Sequence, residues 1–156
     1  MPNEILAKTK TEIEPTISLN SIANGAGRIS AVIDNTTTKA GRGLLHVKAK
    51  TGTSPTVDTI FKFYLIRQSN GTNNVKSGGG ALGDVDAAVT TEPINATMVG
   101  SIRVAGTSNL EYSESFVVDM PGDKFSFVFW NATAVTTNAT APTPSLQWEP
   151  FVDEVQ

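Results

Sequence analysis

Residues 44–50, Leu-Leu-His-Val-Lys-Ala-Lys, alternate apolar and polar side chains from Leu45 on, and this period of two limits the fold more than any other feature. In an extended chain successive side chains point to opposite faces, so Leu45, Val47 and Ala49 face one way and His46, Lys48 and Lys50 the other. One face is buried and one is wet, the pattern of a strand in an antiparallel sheet. Short runs of this kind, separated by turn residues, recur from Glu12 to the end: residues 16–19, 28–34, 59–67, 98–104, 113–120, 124–131 and 145–152. The run 59–67 is apolar on nearly both sides and is expected to be a central strand with a second sheet over one face. In 124–131, Phe125, Phe127 and Phe129 share a face, with Ser126, Val128 and Trp130 on its reverse. Pro121-Gly122 before it has type II turn chemistry. Gly83 to Val89 could hold a helical turn or two and no more.

Eight such strands with no helical crossover predict an all-β chain, an antiparallel jelly-roll-like β-sandwich. At 156 residues it is the size of one domain, long enough to bury a core without staples, and it contains no cysteine. Residues 1–11 are polar and unpatterned and read as an extended N-terminal arm, leaving 12–156 as the sandwich domain. Residues 69–83 hold Asn70-Gly71 and three consecutive glycines at 78–80, the composition of a long Gly-rich loop. No fixed-period repeat suggests a solenoid or propeller.

The composition narrows function mainly by exclusion. Twelve basic and fifteen acidic residues give a net charge of −3 with no basic block, a poor match to nucleic acid. No stretch approaches the ~18 apolar residues of a membrane span and no secretory leader is visible, so neither membrane nor export is expected. His46 is the one histidine. Placed among outward-facing strand residues, it reads as a solvated side chain and not as the base of a nucleophilic set, and it is too few for a zinc first shell. Glu111, Glu114, Asp119 and Glu149 could be nominated as a glycosidase pair, but no spacing singles two of them out. Asp84-Val85-Asp86 with Glu92 downstream has calcium-like oxygen chemistry without the ligand periodicity of a calcium loop. The expectation is therefore no enzyme, no cofactor and no metal. Five Asn-x-Thr triplets, at Asn35, Asn70, Asn95, Asn131 and Asn138, follow from the richness in threonine.

The candidates for interaction are aromatic and aliphatic. Trp130 and Trp148 could anchor an interface or, with Tyr112, stack on sugars, against the alternative that both tryptophans lie in the core. Within the polar residues 1–15, Ile5, Leu6 and Ile13 are possible anchors.

Two stretches carry a resemblance. Residues 18–28, Ser-Leu-Asn-Ser-Ile-Ala-Asn-Gly-Ala-Gly-Arg, followed by Val32-Ile33-Asp34-Asn35-Thr36 and by Lys50-Thr51-Gly52-Thr53-Ser54-Pro55-Thr56, resemble the opening of small virion-associated proteins of tailed bacteriophages. Residues 121–131, Pro-Gly-Asp-Lys-Phe-Ser-Phe-Val-Phe-Trp-Asn, and the closing segment 146–155 resemble the final strands and tail of the same group. The resemblance covers roughly residues 16–67 and 120–156 and brings no catalytic residues. It implies a capsid decoration or cement protein made in the host cytoplasm and carried on the capsid surface, with the major capsid protein and copies of itself, as a homotrimer, for partners. The alternative is a tail- or fibre-associated module that binds carbohydrate or receptor.

Overall fold

The computed structural model describes residues 5–69, 73–74, 86–94, 96–119 and 121–155. In chain order its strands are β1 (Ile5–Thr9), β2 (Ala26–Ile29), β3 (Ile33–Asp34), β4 (Arg42–Lys50), β5 (Ile60–Ser69), β6 (Asn73–Asn74), β7 (Ala87–Val89), β8 (Thr97–Arg103), β9 (Glu111–Asp119), β10 (Lys124–Ala132) and β11 (Leu146–Val155). No helix occurs among the described residues. The smaller sheet has the order β1-β11-β4-β9. In the larger, β10 lies between β5 and the pair β2 and β3, with β8 and β6 on the far side of β5 and β7 outside β2. Every pairing is antiparallel. The chain passes repeatedly from one sheet to the other, and the two sheets form a β-sandwich.

The alternation in β4 holds: Leu45, Val47 and Ala49 are buried, while His46, Lys48 and Lys50 are only partly so. They meet Phe61, Phe63 and Leu65 of β5 and Phe125, Phe127 and Phe129 of β10 in one core between the sheets. Burying six such large side chains at about 1.5–3 kcal/mol each is the main force holding the two sheets face to face. Trp148 of β11 enters this core, 1% exposed, with its ring 5.4 Å from Phe125 and 5.9 Å from Phe127. It fits because Gly43, on the neighbouring strand, has no side chain: a Cβ there would stand 2.5 Å from the indole Cη2.

The reverse face of the larger sheet has its own apolar layer. Ile29, Tyr64, Ile66, Val89, Val128 and Trp130 form a second cluster, and Trp130 is 6% exposed. Both tryptophans thus belong to the chain's own packing, the core alternative of the sequence reading, and neither offers a free ring face. Two polar ties hold residues 86–92 to this sheet. Asp86 accepts hydrogen bonds from Arg28 Nε at 2.5 Å and Ser18 Oγ at 2.7 Å. Glu92 accepts from Lys62 Nζ at 2.6 Å and from the Tyr64 hydroxyl.

Burial opposes the charged form of both carboxylates, but the hydrogen bonds outweigh it and hold both below the usual carboxylate range. Burial, then the bond to Glu92, pushes the Tyr64 phenol upward. A depressed folded-state pKa gives stability that is complete above the unfolded-state value, near 4, and is lost as pH falls through the folded value. Thermal midpoints followed from neutral pH downward should therefore fall more steeply below about pH 4 in the wild type than in an Asp86→Asn/Glu92→Gln variant. Parallel curves would remove the ties from the account of stability.

The structure departs from the sequence expectations in four places. Residues 16–19 are irregular, with the Leu19 carbonyl bonded to Thr137 Oγ1. The run 28–34 breaks at Ser30, whose Oγ accepts the Phe127 N–H in place of a backbone carbonyl. Residues 87–89 form a strand and not a helical turn. Finally, residues 5–9 of the expected arm pair with β11 in the chain's own sheet, from Ile5↔Val155 to Thr9↔Phe151. The Gly-rich loop 69–83 lies outside the described residues except at Ser69 and Asn73–Asn74.

Candidate functional site

The outward face of the smaller sheet brings together the residues with the most chemistry. In register, Ser115 of β9, His46 of β4 and Gln147 of β11 stand side by side across three strands. His46 Nδ1 lies 2.7 Å from Ser115 Oγ, and its Nε2 lies 3.2 Å from Glu149 Oε2. Gln147 Nε2 donates to Glu12 Oε2 and Glu14 Oε1, both at 3.1 Å. A hydroxyl, an imidazole and a carboxylate are thus in hydrogen-bond contact. Sequence reasoning missed this because the partners are 69 and 103 residues from the histidine and only strand register unites them.

What the row can do depends on its surroundings. Acyl transfer also needs preorganised donors aimed at the developing oxyanion and a concavity that holds substrate. The row lies on an open, partly exposed sheet face; among the described residues, Ser115, His46 and Glu149 line none of three surface depressions, which are bordered by Asn35 and Asp123, by Asn24 and Asn138, and by Glu14 and Pro144. The arrangement is that of a cross-strand polar ladder, in which each side chain satisfies its neighbour.

The other nominated acids do not converge. Glu111 and Asp119 share a face of β9 but are eight residues apart, about 26 Å along a strand and far beyond a glycosidase separation of about 5–10 Å. Glu114 points to the opposite face by strand parity. Asp84 lies outside the described residues, and Asp86 and Glu92 are held by Arg28 and Lys62. Among the described residues no group of three or more His, Asp or Glu side chains is placed to hold a metal.

The interaction candidates fall into two groups. Ile13 is partly buried against the core, and its N–H and carbonyl bond Trp148 at 2.8 Å each. Tyr112 packs edge-on to Phe61 and accepts the Ala105 N–H. With Trp130 and Trp148 they serve the interior. Ile5 and Leu6, by contrast, lie in β1, the outermost strand of the smaller sheet. At its other edge β9 presents Val117, 62% exposed.

Two of the Asn-x-Thr asparagines are structural. Asn35 Nδ2 donates to the carbonyls of Ala40 and Gly122, and Asn131 Nδ2 to those of Ile22 and Val135. Neither amide has a hydrogen left for a glycan in the folded chain. Asn70 and Asn95 lie outside the described residues.

No protein-family model, curated protein or solved structure matches this chain.

Proposed function

We propose that this chain is a non-enzymatic structural protein of a tailed-bacteriophage particle, a decoration or cement protein that binds the major capsid protein and further copies of itself, as a homotrimer, on the capsid surface. The sequence resemblance of residues 16–67 and 120–156 carries the proposal. Two structural features support it. The aromatic side chains that a sugar-binding tail module would use for stacking, Trp130, Trp148 and Tyr112, are engaged in the chain's own packing. Among the described residues the smaller sheet has β1 and β9 as its outermost strands, and strand edges are a means by which shell proteins gain multivalent contacts at little cost in new structure.

The test is to separate heads from tails of the phage that encodes the chain and quantify it in each fraction. It is expected with the heads, in many copies per particle, and heads stripped of it should release their DNA at lower temperature. Recovery with tails, together with binding to a glycan array, would replace this reading by the receptor-binding one. Labelling of Ser115 by a serine-reactive fluorophosphonate would overturn its non-enzymatic part.

A further inference from the structure

The two ends of the sandwich differ in charge. At one end the connections from β4 to β5, from β8 to β9 and from β10 to β11 meet the segment that leads into β2. Residues 20–25, 51–57, 104–110 and 133–145, which form that end, contain no Asp, Glu, Lys, Arg or His, in a chain of which 17% is charged. The other end carries Asp34, Lys39, Arg42, Asp119, Asp123 and Lys124. Beside the neutral end, charge returns where the strands begin: Asp58 lies 3.5 Å from Arg103, and Lys50 faces Glu111 in register. A neutral patch bordered by charged residues is the arrangement of an interface core and its rim.

The neutral end is also braced from within. The Ser21 N–H donates to the Asn138 carbonyl and the Asn109 N–H to the Gly52 carbonyl, both at 3.0 Å. The Ser54 N–H donates to Ser108 Oγ at 2.8 Å, and the Ala134 N–H to Asn24 Oδ1 at 3.0 Å. The four segments thus hold one another, and a partner meets a preformed surface with little left to order. Two large hydrophobic side chains, Val57 at 60% and Leu110 at 39% exposure, lie on it.

We infer that this end is the surface through which three copies of the chain meet. Symmetry selects the occupant. Around a rotation axis the identical groups of every copy converge, so a charge placed there would face its own kind while losing water. A neutral end avoids that cost, and Val57 and Leu110 supply apolar area to bury. The opposite end, and the outward face of the smaller sheet with Lys48, Lys50 and Glu111, would bring like charges towards one another. A contact with the capsid protein joins unlike surfaces and sets no such requirement. The inference rests on the self-association in the proposed function and gives it a surface.

The mass of the full chain, measured by light scattering after size exclusion and by sedimentation velocity, tests it. The wild type is expected as a trimer of the 16.5 kDa chain, with little dependence on salt because no ion pair holds the contact. Thr53→Lys and Val57→Lys, both at exposed positions, should each reduce the mass to that of one chain while the far-UV circular dichroism stays the same. High salt should restore part of the trimer in these variants by screening the new charges. Thr37→Lys, exposed at the opposite end, should keep the wild-type mass. A wild type that is monomeric at its highest soluble concentration overturns the inference. So does a trimer that Thr53→Lys and Val57→Lys both leave intact, or one that Thr37→Lys disrupts as fully as they do. A monomeric wild type that still binds heads would leave the capsid reading standing, whereas a trimer that Val57→Lys dissociates but that is absent from heads would count against the capsid reading alone.

Discussion

Trp148→Ala is expected to destabilise the chain by about 3–5 kcal/mol, the range for deleting a large buried aromatic side chain from a packed core. The indole stands where the two sheets meet, in contact with Phe125 and Phe127, and fills the space that Gly43 leaves open. Truncation would leave a cavity that neither sheet can close, because strands paired on both sides resist moving inward. Its backbone adds a second consequence: Trp148 exchanges two hydrogen bonds with Ile13, so loosening this part of β11 also loosens the segment that leads to β1. A domain with about 5–15 kcal/mol of total stability would retain little margin. Urea titration followed by far-UV circular dichroism should show the midpoint displaced to much lower denaturant with an unchanged slope, and Trp148→Phe should recover part of the loss. A midpoint within error of the wild type would remove Trp148 from the core.

How much was legible in the sequence depends on where each strand finds its partners. β4, β5 and β10 could be read because one or both of their faces are buried by facing side chains, which writes a period of two or a continuous apolar run into the sequence. β1 could not, because an outermost strand of five residues needs no apolar face to form: register with β11 defines it. Residues 16–19 show the converse. Ile17 and Leu19 pack against the core as strand residues would, yet their backbone groups are met by loop and side-chain partners such as Thr137 Oγ1, and apolar pattern alone does not tell these cases apart. Alternation puts Trp130 on the correct face of β10, but the cover on that face, including Val89 and the tie through Glu92, comes from a stretch with no strand signal. The Ser115–His46–Glu149 row depends wholly on register, so its members looked like unrelated exposed residues.

Asn131 shows how a buried polar residue can matter as much as an aromatic one. It is fully buried on β10, and both ends of its amide are satisfied: Nδ2 donates to the carbonyls of Ile22 and Val135, and Oδ1 accepts from the N–H and the hydroxyl of Thr133. One side chain thereby fixes the turn after β10 and ties it to the loop before β2, a contact between residues 109 positions apart. Asn131→Ala is expected to cost about 2–4 kcal/mol, because the buried Thr133 N–H loses its partner while the carbonyls keep secondary donors in Thr137 and Thr133. Asn131→Asp keeps the shape but turns two donors into acceptors that face carbonyl oxygens, so the carboxyl group favours its neutral form and its folded-state pKa rises. The penalty in that variant should therefore exceed that of alanine at neutral pH and shrink as pH falls through the raised value, opposite in sign to the loss expected from Asp86 and Glu92. Midpoints of the two Asn131 variants measured across the same pH range check this. If aspartate is no worse than alanine at neutral pH, the amide donors at this position contribute little, and the loop before β2 is held by Thr137 instead.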